Sequence, residues 1–142
     1  MDIKSIVDSM IKKYDSHNPF DIVKSMKNVI LVYAPLEGVR GFYQYFKRNH
    51  IIYIDEDLPE HEKIFVCAHE LGHLLLHKKE NRIFMDSKTF FKTSKYETEA
   101  NLFALYLLIP DGLLHEYNDY TLSQLSKLLG YSEHLLELRI RM

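Results

Sequence analysis

Residues 64–77 read IFVCAHELGHLLLH, an apolar stretch that carries His69, Glu70 and His73 in its interior. No other stretch constrains the fold so tightly. Its apolar content suits a helix facing a core, and a dry helix holding two histidines and a glutamate needs a reason. Buried polar groups cost free energy unless they are paired or bind a metal. On an α-helix, residues four apart stand one above the other on one face. The imidazoles of His69 and His73 can therefore bind one ion, each through a ring nitrogen about 2 Å away. Glu70, one position on, can reach a water beside that ion without ligating it.

His69-Glu70-x-x-His73 is the H-E-x-x-H pattern that many zinc hydrolases carry on a helix. Zinc lowers the pKa of its water, and a neighbouring carboxylate can take the proton during attack on a carbonyl. The spacing predicts metal ligands at the ends and a general base, Glu70, between them. Alone it does not decide the matter. The chain has 8 histidines in 142 residues, and a shuffle of this composition would produce the pattern in roughly three chains per hundred. The bland alternative is a surface helix with two solvated histidines.

A catalytic zinc site needs three protein ligands and an open position. A glycine and a histidine continuing the motif at three-residue steps would supply the third, but Leu76 and Lys79 stand there. His77 lies one turn beyond His73, and three residues spanning two helical turns do not easily converge on one ion. The expectation for His77 is an exposed or capping role at a helix C-terminus. The next helical run, SKYETEANLFALYLLI from Ser94 to Ile109, offers Glu97 and Glu99. Glu97 shares a face with Asn101, beside the apolar stripe of Ala100, Phe103, Ala104, Leu107 and Leu108, whereas Glu99 points about 200° away. Glu97 is thus favoured as third ligand and Glu99 is the fallback. Asn101 is placed to hydrogen-bond a ligand histidine.

Around these runs the patterns predict a compact α+β chain. Residues 3–14 have helical spacing, and FDIVKSMK reads as a second short helix after Asn18-Pro19. NVILVYA reads as a buried strand. GFYQYFKR and HIIYID, with a short turn between them, read as a hairpin, so the small sheet is mostly antiparallel. The motif helix covers about 60–77. Residues 78–95 read as a surface loop with room for a short strand, and its Ile83, Phe84, Phe90 and Phe91 suggest packing beside the cleft. Pro110 and Gly112 end the next helix. TLSQLSKLLGYSEHLLELRIR reads as two helices around Gly130-Tyr131.

Composition narrows the function classes. A net charge of -2 gives no general pull toward nucleic acid. Cys67 is the single cysteine, read as a small core residue, and it suits a reducing cytoplasm. MDIKSIVDSMIKKYDS has no continuous apolar stretch of signal-peptide kind, and no segment approaches membrane-spanning length. The expectation is a cytoplasmic protein without a membrane partner.

AHELGHLLLH followed by YETEANLFALYLLIP resembles the ImmA/IrrE family of zinc metallo-endopeptidases. That family pairs H-E-x-x-H with a later E-x-x-A-[ND]-x-F-A-x-x-L-L-x-P segment, met here as Glu97, Ala100, Asn101, Phe103, Ala104, Leu107, Leu108 and Pro110. The resemblance covers about residues 18–115 and, more loosely, the C-terminal helices. It implies a zincin-like metallopeptidase domain, placed at 1–115, and the remaining residues, 116–142, whose apolar first helix, Gly130 turn and Ser132 resemble a helix-turn-helix, are expected to pack on it as an extension. It also implies a Zn2+ held by His69, His73 and Glu97, with Glu70 as base and proton shuttle. The implied protein substrate is a helix-turn-helix repressor of a prophage or mobile element. Substrate could lie along the sheet edge, at GFYQYFKR or HIIYID, as an added strand. Two other readings compete. One is a zinc-binding partner that inactivates a regulator without hydrolysis. The other is a DNA-binding regulator acting through the C-terminal helices, disfavoured because the second of them carries Glu133, His134 and Glu137 before it gains Arg139 and Arg141.

Overall fold

The computed structural model describes residues 2–77, 84–87 and 95–141, with side chains throughout except at 84–87. Two short helices open the chain. In α1 (Ile3–Tyr14), Asp2 caps the start by accepting the Ser5 N–H, and Ile3 and Val7 are buried. In α2 (Pro19–Ser25), Asn18 accepts the Phe20 N–H, and proline takes the first helical position, where its missing N–H is no loss.

Strands β1 (Val29–Ala34), β2 (Val39–Phe46), β3 (Asn49–Asp55) and β4 (Phe84–Ser87) form one sheet in the order β1-β3-β2-β4. β2 and β3 are the expected hairpin, with Phe46 paired to Asn49. Its two-residue turn is Lys47-Arg48, both left-handed at φ 49° and 67°. Two such residues in succession give the turn whose twist matches the strands. β4 adds to β2 antiparallel and β1 adds to β3 parallel. The fold is α+β with a small, mostly antiparallel sheet, as the patterns imply.

Three local expectations need correction. Neither β2 nor β3 is an edge: β3 lies between β1 and β2, and β2 between β3 and β4. HIIYID is paired along both sides, and GFYQYFKR is paired to β3 over Gly41–Phe46 and to β4 over Gly41–Tyr43, so neither is the sheet edge expected to take a substrate strand. β1 is apolar yet not fully buried, because it is an edge strand with Ile30 and Tyr33 exposed. Pro110 does end a helix, but it also starts another as the N-cap of α5 (Asp111–Glu116). Within the loop expected at 78–95, β4 supplies the short strand. Ile83, Phe90, Phe91 and the Phe84 side chain lie outside the described residues.

The central element is α3 (Glu60–Leu76), whose residues 65–74 are all buried. It lies on the sheet face formed by Tyr43, Ile52 and Ile54, and Cys67 is buried within the core there. Gly41 makes the close approach possible: a Cβ there would sit 2.5 Å from Val66 Cγ1 and 2.7 Å from the Tyr53 carbonyl oxygen. On its other side α3 meets α4 (Lys95–Leu108). Gly72 lets them close, since a Cβ there would stand 3.1 Å from Phe103 Cβ and 3.2 Å from Ala100 Cα. The chain ends in α6 (Leu122–Leu129) and α7 (Glu133–Arg141), which place Leu125 and Leu136 in the same core. Arg139 of α7, 4% exposed, donates from Nε and Nη2 to the Ile109 carbonyl at the end of α4.

Candidate metal centre

The tight α3–α4 packing sets the distances in the site. His69 and His73 sit one turn apart on the face of α3 turned to α4, 2% and 0% exposed. Glu97, in the first turn of α4, bridges them. Its Oε2 lies 2.9 Å from His69 Nε2 and its Oε1 3.0 Å from His73 Nε2. One ligand atom from each of the three groups falls within 4.8 Å of the others. One turn further along α4, the Asn101 side-chain oxygen lies 2.8 Å from His69 Nδ1.

This donor set suits a divalent cation. The Asn101 oxygen accepts, so His69 Nδ1 carries a ring proton, which leaves Nε2 as the nitrogen a metal would take. Burial pushes His73 down to about pKa 4 against the opposing pull of the Glu97 carboxylate, so the ring is neutral near pH 7. Burial pushes the Glu97 carboxyl up, but the two histidines outweigh it and hold it well below the usual carboxylate range. Two imidazoles, that of His73 neutral, and an ionised carboxylate converge, the atom types of a His2Glu zinc site.

Glu70 is fully buried on a different side of α3. A Cβ on Gly41 would stand 3.7 Å from Glu70 Cγ, so the side chain lies over β2, beside the two histidines and not between them. A cavity of about 440 Å³ opens next to the site. Phe65, Tyr131 and Leu135 give it apolar walls, Arg40 and Glu62 add charge, and Asn101 joins it to the His69 ring. The Phe65 ring lies 6.2 Å from that of His69 and 5.8 Å from that of Tyr131.

The fallback ligand Glu99 is elsewhere: its Oε1 lies 2.9 Å from His77 Nε2. His77 does occupy the helix C-cap, its N–H bonded to the His73 carbonyl, but it is 3% exposed. The expectation of an exposed ring fails because α4 lies across this end of α3. The His77–Glu99 pairing escaped sequence reasoning, although the four-residue step from His73 to His77 was a visible signal.

The family model described as the IrrE N-terminal-like domain, Peptidase_M78, matches residues 26–141. The chain belongs to the ImmA/IrrE family. Two relatives agree. The chain is 38% identical over 139 residues to "Uncharacterized immunity region protein 2" of Bacillus phage phi105, covering 96% of this chain and 88% of that protein. It is 36% identical over 120 residues to "Metallopeptidase ImmA" of Bacillus subtilis (strain 168), covering 83% of this chain and 69% of that one. Among the described residues no helix of this ImmA/IrrE chain is long and apolar enough to cross a membrane.

Proposed function

We propose that the chain is a zinc-dependent endopeptidase whose substrate is a helix-turn-helix repressor of a phage or mobile element. One observation carries the chemistry: His69, a neutral His73 and an ionised Glu97 converge, with Glu70 buried alongside. His69, His73 and Glu97 would hold the zinc ion. When bound, it supplies Lewis-acid polarisation of a carbonyl and makes a water more acidic than bulk water. Glu70 takes the proton of the attacking water and delivers it to the departing amine nitrogen. Asn101 holds the His69 ring with Nε2 turned inward. The cavity walled by Phe65, Tyr131 and Leu135 receives part of the peptide.

The names of the two relatives, an immunity region protein and a metallopeptidase, support a regulatory protein of an immunity region as the target. A cytoplasmic setting follows from that target and agrees with a single, buried cysteine. The competing DNA-binding reading loses its cationic groups, because Arg139 is buried and Arg141 pairs with Glu137 on its own helix.

Incubation with the repressor encoded beside its own gene tests the proposal. Wild-type protein with zinc yields fragments, while chelator or Glu70→Gln abolishes them and Glu70→Gln still binds zinc. A repressor that stays intact yet loses its operator would replace this reading with inactivation by contact.

A further inference from the structure

Behind His73, away from Glu97, runs a second chain of polar groups. His73 Nδ1 lies 2.9 Å from His77 Nδ1, and His77 Nε2 lies 2.9 Å from Glu99 Oε1. The rings of His77 and His73 are 2% and 0% exposed at their side chains, and Glu99 is 14% exposed at its own. We propose that His77 and Glu99 are positioning residues that fix the tautomer and orientation of the His73 ring. This rests on the reading of His69, His73 and Glu97 as metal ligands.

The argument is one of donors and acceptors. Two ring nitrogens 2.9 Å apart need one proton between them, and geometry alone leaves either His73 or His77 as donor. Glu99 removes the ambiguity. A carboxylate only accepts, so a neutral His77 carries its proton on Nε2 and a lone pair on Nδ1. His73 Nδ1 then donates, so a neutral His73 offers Nε2, the nitrogen on the Glu97 side, to a metal. The reverse arrangement would put the proton on His73 Nε2, the atom a metal requires free. Asn101 imposes the same tautomer on His69 from the opposite side. Both ligand rings are thus set by α4, one directly and one through His77. A carboxylate two bonds removed also makes the ligand nitrogen a stronger donor, as outer partners of metal-bound histidines do.

The test measures zinc affinity by chelator competition, with cobalt(II) absorption as a readout of ligand geometry. His77→Phe keeps the ring's bulk and removes the acceptor, and Glu99→Ala removes the end of the chain. Each is expected to weaken zinc binding by about 10- to 100-fold and to shift the cobalt spectrum, with far-UV circular dichroism unchanged. The double variant loses no more than His77→Phe alone, since the two residues act in series. If His77→Phe does not fold, Glu99→Ala and Glu99→Gln carry the test, with Gln, which can still accept, retaining more affinity. Wild-type affinity and an unchanged cobalt spectrum in the folded variants would overturn the relay alone. A wild-type chain that takes up no zinc would overturn the metal-centre reading and the relay with it.

Discussion

The Asn101 side-chain oxygen accepts the Nδ1 proton of His69 across 2.8 Å, from one helix to the next. Asn101 also lines the neighbouring cavity, so one residue holds the His69 ring and faces the cavity. Asn101→Leu is of similar volume and cannot accept. Its zinc affinity is expected to fall by about tenfold, the lower end for loss of a partner that orients a ligand histidine. Asn101→Asp, which accepts equally well, retains affinity. Chelator competition at pH 7 checks both, and a leucine variant within twofold of wild type would remove Asn101 from this role.

Much of this site was legible before the structure because helical periodicity is a strict rule. Once 60–77 and 94–109 are helices, His69 and His73 must share a face, and so must Glu97 and Asn101. Nothing in that rule says how closely the helices approach. Gly72 decides it, by bringing Ala100 and Phe103 against α3, and a glycine in a helix does not announce its partner. The same limit hid the His77–Glu99 pair. Its residues face each other only because α4 crosses the end of α3, a tertiary relationship with no period of its own. Sheet order was equally out of reach: apolar runs identify β2 and β3 as strands, but local patterns do not reveal that β1 and β4 flank them.

The buried histidine makes the metal-free protein sensitive to mild acid. His73 has an ordinary value of 6.5 and is pushed down to about 4 by burial. Between those values the unfolded chain binds a proton that the folded chain refuses, so stability rises with pH and is lost as pH falls from about 6.5 to about 4. Glu97, held below its ordinary value, acts in the same direction at more acid pH: its contribution is full above about 4.5 and fades below. The His73 contribution is about 1.4 kcal/mol per pH unit at most. Thermal unfolding of chelator-stripped protein should show a falling midpoint from pH 6.5 to 4, with a shallower slope in His73→Phe. Equal slopes in the two proteins would mean that His73 titrates normally.

Arg139 sets how firmly the last helix is held. It donates twice to the Ile109 carbonyl, at 3.1 and 2.8 Å, and once to Asp111 at 2.7 Å, and its guanidinium lies 4.6 Å from the centre of the Tyr106 ring. It therefore satisfies a carbonyl at the C-terminus of α4, where the helix has no backbone donor left, and ties α7 to the helix that presents Glu97. Charged hydrogen bonds of this kind contribute about 1.5–3 kcal/mol, and the stranded carbonyl adds to the loss. Arg139→Met keeps the apolar stem over Tyr106 and isolates the polar effect. It should destabilise the protein by about 2–3 kcal/mol, a fall in melting temperature of roughly 5–12 °C for a chain of this size. Arg141→Ala is the control: that residue is exposed and paired with Glu137 one turn away, so its loss should cost less than about 0.5 kcal/mol. Equal melting temperatures for the two variants would show that Arg139 contributes no more than a surface charge. A zinc affinity that falls in Arg139→Met while the protein remains folded would show that α7 also steadies α4, and through it Glu97.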